Sequence, residues 1–279
     1  MRFRALSLLT GTAIVTALLV GPPPALASDP RLPLGDGRVT TSGPKSGYVY
    51  ACRIVTGGGG AVDSVPWISG STWSPALKPH VQGAHAWPNA VMKVTTAGQW
   101  RTLTTTGVPT NSPTGTFPIS ADDPAYTYDR NPNSIRGLRV SIQVPRYPQV
   151  ATSPTCLSLG AVGVATNGVA IFDALDGENR DAVAHEVQDS CDGHPERTGV
   201  YHYHSGSSCL LATAKGRSTL VGYALDGFGI YVERDASGTL LTNADLDACH
   251  GRTSTVRFNG TRQRIYHYVV TAEYPYTLG

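Results

Sequence analysis

The sequence has few charged side chains and very little lysine. Charged residues make up 15% of its 279 residues, and four of the 22 basic residues are lysines. This composition excludes a coiled coil, a long-helix bundle and a charge-rich disordered chain, which all need more charge. Glycine and proline are abundant instead, at 31 and 20 residues. The combination favours many short strands joined by turns.

Long hydrophobic runs are also absent, apart from one near the N-terminus. Two arginines precede the apolar run Ala5–Val20, and Ala25-Leu26-Ala27 has the small residues of a cleavage site. This order is typical of a secretory signal peptide, because the run is too short and wrongly flanked for a stable membrane span. We expect residues 1–27 to be cleaved after Ala27, secretion of the remainder, and no later transmembrane segment. An uncleaved anchor is the alternative.

Removing this leader also removes the positive charge of the chain. The whole sequence has a net charge of +2, and the leader contains two arginines and no acidic residue, so the mature chain is neutral. A neutral chain has no general attraction for polyanions. Nucleotide-binding loops, a GxSxG elbow and a paired-carboxylate glycosidase signature are absent too. We expect no nucleic-acid partner and no nucleotide or organic cofactor.

The remaining chain is predicted to form a flexible N-terminus, residues 28–47, and one globular domain, residues 48–279. The first segment is rich in glycine, proline, serine and threonine and has few large apolar groups. The second is predicted to be mostly β and sandwich-like. Strand patterns occupy 48–55, 91–106 (as two strands) and 138–144.

One or two short helices are expected in the C-terminal half. Residues 179–190 begin with Asn179 as a candidate cap, and an acidic residue and an apolar face follow. Residues 243–248 predict a shorter helix in the equivalent place.

An internal repeat is predicted in the same half, with half-units at about 160–210 and 220–279. Three pairs of segments match in the same order, at offsets of 59, 58 and 65 residues: 167–172 with 226–231, 189–193 with 247–251, and 201–203 with 266–268. Shared turn chemistry in a glycine-rich β protein is the alternative explanation.

The segment Tyr201-His202-Tyr203-His204 is the most informative about function. Alternate side chains of a strand share a face, so His202 and His204 point one way and the two tyrosines the other. The two imidazoles lie about 7 Å apart at Cα, close enough to bind one divalent metal. Neutral imidazole suits zinc or copper.

Further ligands must come from elsewhere in the chain. Repeat symmetry nominates His267, and the turns after two cysteines nominate His194 and His250. A metal ion or a small extracellular ligand is then the expected partner. In the structural alternative, these histidines hydrogen-bond across the repeat interface and hold the two halves together.

Two other functions are open at this point. His185-Glu186-Val187-Gln188-Asp189 is one residue away from the HExxH helix of metalloproteases, which makes His185 and Glu186 catalytic candidates in an extracellular metal-dependent hydrolase. A structural histidine and glutamate on a helix surface is the alternative. Separately, Trp67, Trp73 and Trp87 could act as stacking platforms of a surface glycan-binding module.

Seven segments together are typical of a known family: 131–133 (NPN), 167–169 (NGV), 181–186 (DAVAHE), 201–204 (YHYH), 222–228 (GYALDGF), 243–249 (NADLDAC) and 274–279 (YPYTLG). Through them the sequence resembles the YHYH-domain family of secreted bacterial proteins, and the likeness covers roughly residues 90–279. The family carries no established activity, so the resemblance implies family membership and does not imply a particular reaction. Many relatives have a second tetrad where this chain has Val269 after His267.

Five cysteines without a CxxC spacing indicate disulfides in an exported protein. Cys191 and Cys209 flank the tetrad, and we expect them to be bridged. We pair Cys52 with Cys156 across the N-terminal part. Cys249 is then expected to be free, because relatives tend to continue past Gly279 into a further cysteine.

Overall fold

The computed structural model describes residues 30–55, 57 and 61–279. Strands dominate, which confirms the predicted mostly β class. In chain order they are β1 (Leu32–Pro33), β2 (Val39–Thr40), β3 (Val49–Tyr50), β4 (Ile68–Ser69), β5 (Thr72–Trp73), β6 (Met92–Ala97), β7 (Trp100–Thr105), β8 (Val140–Pro145), β9 (Ala161–Ala165), β10 (Ala170–Phe172), β11 (Gly193–Pro195), β12 (Tyr201–Tyr203), β13 (Ser218–Ala224), β14 (Gly229–Glu233), β15 (Gly251–Phe258) and β16 (Thr261–Val270).

Helices are few and short. They are α1 (Ala182–His185), α2 (Ser208–Thr213) and two 3-10 turns, Pro124–Thr127 and Asn243–Asp245. Among the described residues, no helix has the length and apolar character needed to cross a membrane. The predicted signal peptide and its cleavage site lie outside the described residues.

Eight strands of the C-terminal half form one sheet in the order β11-β12-β10-β9-β13-β14-β16-β15. The two halves of the sheet have corresponding strand orders from its centre outwards. One half reads β9, β10, β12, β11, and the other reads β13, β14, β16, β15. The register corresponds as well: Ile171 is the partner of Tyr203 in one parallel pair, and Ile230 is the partner of Tyr268 in the other. These pairings agree with the predicted half-units, and the repeat itself stays a prediction.

A second layer makes the fold sandwich-like. The three-stranded sheet β6-β7-β8 packs Leu103 and Val144 against Val164 of the large sheet. Arg101 is buried between the layers, where its guanidinium stacks on Tyr223 and Phe258 at 4.4 and 4.7 Å from the ring centroids. Its guanidinium donates to the carbonyl of Gly227 and to the side-chain oxygen of Asn259, so the buried group has hydrogen-bond partners.

On the other face of the large sheet, the tyrosines of the tetrad lie in the main core, as the alternation predicts. Tyr201 and Tyr203 are fully buried and pack in the same cluster as Leu210 of α2. Their hydroxyls are satisfied: Tyr201 donates to Asp189 at 2.8 Å, and Tyr203 accepts from the Asn167 amide at 3.0 Å. His202 is thereby directed to the opposite face.

The helix predicted over 179–190 is wrong in its length. Asn179 has a φ of +61° and is not the cap; Asp181 is the N-cap, and the helix ends at His185. In a longer helix the Val187 amide would donate to the Val183 carbonyl. Two side chains far away in the sequence bind these groups instead: Lys78 donates to the Val183 carbonyl, and the Val187 amide donates to Asp129 at 3.0 Å. The predicted helix at 243–248 is a 3-10 turn over Asn243–Asp245.

Residues 30–47 are held in place, in contrast to the flexibility predicted for 28–47. Strand β1 pairs with β5, and β2 pairs with β3. The amide of Gly35 donates to the Asp181 carboxylate at 2.9 Å, and Asp36 lies 2.9 Å from the Nε2 atom of His185. This segment is therefore tied to α1.

Asp181 makes stability depend on pH. Burial raises the pKa of Asp181 to about 6, although the Tyr276 hydroxyl and the Gly35 amide act in the opposite direction. A carboxyl whose pKa is raised by folding stabilises the folded state below its unfolded pKa, and this contribution is lost as pH rises through the folded pKa. We expect Asp181 to contribute a fall of about 2 kcal/mol in unfolding free energy between pH 4 and pH 7.

Urea unfolding of the wild type and Asp181→Asn at pH 4 and pH 7 measures this contribution. The asparagine variant should show the smaller pH dependence, since its side chain does not titrate. An exposed-site variant, Asp122→Asn, should behave like the wild type. Equal pH dependence in the wild type and Asp181→Asn would contradict the assignment.

Candidate metal centre

Three histidines meet on one face of the large sheet. His194 in β11 is the direct cross-strand partner of His202 in β12, and His204 follows two residues later on the same side. One ring nitrogen from each lies within 4.8 Å of the others, and all three side chains are buried. We call these residues the histidine triad. The shared face predicted for His202 and His204 is present, and His194 joins it.

The hydrogen bonds of two triad members fix their tautomers. The Nδ1 atom of His202 lies 3.1 Å from the carbonyl oxygen of Val200, and that of His204 contacts the carbonyl oxygen of Asp173. Since a carbonyl oxygen only accepts, both Nδ1 atoms carry hydrogen. The two Nε2 atoms, which are 3.0 Å apart, are then both acceptors when the rings are neutral. Their lone pairs converge with no hydrogen between them.

Burial keeps the triad in the neutral form. Burial and the neighbouring imidazoles lower the pKa of His194 and His202 well below the usual value, and burial lowers that of His204 to about 4. Neutral imidazole is the form that binds a metal ion. In the part of the chain that the structure describes, neither ring nitrogen of His194 has a hydrogen-bond partner.

Glu186 completes the cluster. It follows α1 directly in an extended conformation, and its Oε2 atom lies 3.4 Å from the Nε2 atoms of both His194 and His204. That oxygen is buried and has no hydrogen-bond partner among the described residues. Burial raises the pKa of Glu186 well above the usual value, with Asp176 and Asp129 adding to the effect. A cation at this point would satisfy the carboxylate.

The helical HExxH arrangement is absent, because α1 ends at His185. The His185 ring turns away from the triad towards Asp36. Asp189, the residue in the place of the second histidine, already accepts four hydrogen bonds, three from backbone amides and one from Tyr201. Glu186 thus reaches the cluster from the extended segment after α1, and not from a helix as the HExxH pattern requires.

The other two predicted ligands lie in the second half of the sheet. The His250 ring contacts the Thr277 carbonyl and the side chains of Asn243 and Thr271. The His267 Nδ1 atom donates to the Ile265 carbonyl, and its Nε2 atom lies 3.3 Å from Glu233. Neither belongs to the triad.

The triad lies at the wall of an open pocket of about 490 Å³. The Phe172 ring stacks on His202 with a centroid distance of 3.9 Å and an interplanar angle of 22°. Asn131 also lines the pocket and donates to the Pro195 carbonyl at 2.9 Å. Neither Phe172 nor Asn131 is among the predicted site residues. Asn131 belongs to the NPN segment of the resemblance, which could have indicated it.

The tryptophan prediction is wrong for two of the three residues. Trp67 is fully buried and Trp73 is 3% exposed. The Trp67 indole donates to the Ala184 carbonyl at 2.8 Å, so it belongs to the core beside α1. Trp87 is half-buried and donates to Thr114. A coplanar stacking platform built from all three is therefore excluded.

Both predicted disulfides are present. Cys52 is bonded to Cys156 and Cys191 to Cys209, and Cys249 is free. The second bridge encloses the hairpin β11–β12 that carries the triad.

Residues 141–243 match the family model described as YHYH protein. The matched segment contains the histidine triad and Glu186. No curated protein and no solved structure gives a significant match.

Proposed function

Since residues 141–243 of the chain match the YHYH protein family, we propose that the site within this segment is a metal centre in an exported protein. The ion is divalent, with zinc or copper as the metals best suited to buried imidazoles. The ligands are the histidine triad and Glu186.

The contact between His202 and His204 carries this proposal. Their two Nε2 atoms are 3.0 Å apart, although neither carries a hydrogen in the neutral tautomers set by the backbone carbonyls. Two converging lone pairs repel each other unless a proton or a cation lies between them. A proton is disfavoured because both rings are buried away from water. A metal ion turns this repulsion into attraction.

Three of the distances in the cluster are close to those of tetrahedral coordination. Zinc–nitrogen and zinc–oxygen bonds are about 2.0–2.2 Å, which puts neighbouring ligand atoms about 3.3–3.5 Å apart. The His202–His204 separation is 3.0 Å, and Glu186 Oε2 is 3.4 Å from both His194 and His204. The triad nitrogens lie within 4.8 Å of one another, so side-chain rotations that shorten the longer distances would be needed to place one ion among the four atoms.

Export is supported by the disulfides as well as by the N-terminal pattern. Disulfides such as Cys52–Cys156 and Cys191–Cys209 persist in oxidising compartments outside the cytosol. We infer that the protein meets its metal there.

A metal-dependent hydrolase is the second candidate, and the open pocket beside the triad favours it. In that case three histidines hold the metal, a water molecule takes the fourth position, and Glu186 acts as general base. The two candidates assign different roles to the same carboxylate.

Glu186→Gln separates them, because glutamine keeps the shape and removes the charge. Loss of an outer-shell partner costs about 10–100-fold in metal affinity, and loss of a direct ligand should cost more. As a fourth ligand, Glu186 should therefore be needed for affinity, so we expect Glu186→Gln to weaken zinc binding by about 100-fold or more, measured by competition with a chelating dye. Glu178→Gln, at an exposed carboxylate nearby, serves as control and should bind like the wild type. Unchanged zinc affinity in Glu186→Gln would contradict the ligand role and support the hydrolase.

A further inference from the structure

The second half of the large sheet has a pocket that corresponds in register to the metal centre. Arg252 is the cross-strand partner of His267, as His194 is the partner of His202. Val269 follows His267 by two positions, where His204 follows His202. The two sites thus correspond in the way their strands pair. At the positions of His194 and His204 of the triad, this second site has the guanidinium of Arg252 and the apolar side chain of Val269.

The carboxylate in this pocket is already neutralised. Glu233 Oε2 lies 3.3 Å from His267 Nε2 and 3.7 Å from Arg252 Nε, and Glu233 Oε1 accepts from Ser254 at 3.2 Å. Burial acts to raise the pKa of Glu233, but His267 and Arg252 outweigh it and hold the pKa below the usual value. The other acid of the pocket, Asp235, accepts hydrogen bonds from its own loop, at Ser237 and Thr239.

The pocket continues as a groove of about 710 Å³ with an excess of positive charge. We call it the arginine groove; it is lined by two acids and by Arg217, Arg234, Arg252, Arg257 and Arg262. Among the described residues, Arg252 is the one groove arginine with a carboxylate within 4.0 Å. The concentration of charge is unusual in a chain with 15% charged residues.

Two of these arginines face each other across a hairpin. Arg257 in β15 and Arg262 in β16 are direct cross-strand partners. Like charges in such positions destabilise a sheet, and the structure describes no acid between them. An anion bound between the two guanidinium groups would remove this repulsion.

We propose that the arginine groove binds a small ligand through a doubly charged oxyanion group, a phosphate or sulfate ester. Arginine suits such a group because its planar fork donates two parallel hydrogen bonds to it. Arg257 and Arg262 are the main contacts, and Arg217 and Arg234 supply further positive charge. This site is separate from the metal centre and does not depend on it.

Calorimetric titration of the full-length mature protein tests the proposal. Inorganic phosphate, sulfate and acetate are the probes, at constant ionic strength, on protein stripped of metal and freed of chelator so that phosphate cannot coordinate at the triad. We expect saturable binding of phosphate or sulfate, and at least tenfold weaker binding of acetate. Tighter binding of phosphate indicates a phosphate ester, and equal or tighter binding of sulfate indicates a sulfate ester.

Variants then locate the site. Arg257→Gln with Arg262→Gln should weaken binding of the preferred anion at least tenfold. Arg139→Gln, at an exposed arginine outside the groove and outside β15 and β16, should change it less than threefold. Arg262→Gln alone replaces the double variant if circular dichroism shows that the latter does not fold. Absence of saturable binding, or equal weakening by Arg139→Gln, overturns the proposal.

Discussion

Replacing His202 and His204 together by alanine is expected to abolish stoichiometric metal binding while the chain stays folded. The double variant keeps His194 and Glu186 as the only two ligands of the proposed set. Losing an outer-shell partner alone costs about 10–100-fold in affinity, so losing two direct ligands should cost well over 100-fold. Elemental analysis of purified protein and titration with zinc and copper measure the loss.

A thermal unfolding series gives a second readout of the same variant. A metal that binds the folded state at 100 times its dissociation constant stabilises it by about 2.7 kcal/mol. The wild type should therefore unfold at a higher temperature with added zinc or copper, and the double variant should not respond. His85→Ala is the matched control, because His85 is exposed and lies outside the triad.

The structural interpretation of the histidines predicts a different pattern. If their role is to hold the fold together, the double variant loses stability in chelator and the wild type contains no metal. A well-folded wild type that binds neither zinc nor copper would contradict the metal centre.

Removing the Cys52–Cys156 bridge is expected to have the largest effect on stability. The bridge closes a loop with a sequence separation of 104, whereas Cys191–Cys209 closes one of 18. In the chain-entropy model, loops of about these lengths contribute about 4.7 and about 3 kcal/mol, because longer loops restrict the unfolded chain more. Both figures are a large part of the total stability of an ordinary domain.

Denaturant unfolding of two double variants compares the bridges. Cys52→Ala with Cys156→Ala should lose more unfolding free energy than Cys191→Ala with Cys209→Ala. Cys249→Ala, which removes the free thiol and no bridge, should be close to the wild type. A smaller loss for the longer loop would show that native-state strain or residual structure in the unfolded chain outweighs loop entropy.

The core of the site could be predicted from the sequence because it depends on local geometry. The alternation of Tyr201-His202-Tyr203-His204 is enough to put two imidazoles on one face and two aromatic rings in the core. His194 was nominated by its turn, and the hairpin β11–β12 brings it opposite His202. These contacts span few residues, so strand geometry alone determines them.

His267 and His250 could not be placed in this way. Repeat symmetry identifies equivalent positions, but it does not bring them together. Five strand spacings separate β12 from β16 in the observed order, which amounts to about 24 Å at the usual interstrand distance. His267 is therefore too far from the triad to share its metal.

The position of Glu186 depends on residues far away in the sequence. The pattern of 179–190 predicts a continuous helix, which would carry Glu186 around its axis. Lys78 and Asp129 end that helix by taking the carbonyl of Val183 and the amide of Val187. Local helix propensity cannot predict these two contacts, because the partners are far apart in the sequence.

The early end of α1 also sets the order in which the metal centre can assemble. The triad spans eleven residues, from His194 to His204, and a single hairpin brings it together. The contacts that direct Glu186 join residues 105 and 58 positions apart, and contacts of long sequence separation form slowly. A metal ion met during folding is therefore expected to be captured first by imidazoles alone, and the carboxylate closes the coordination shell last.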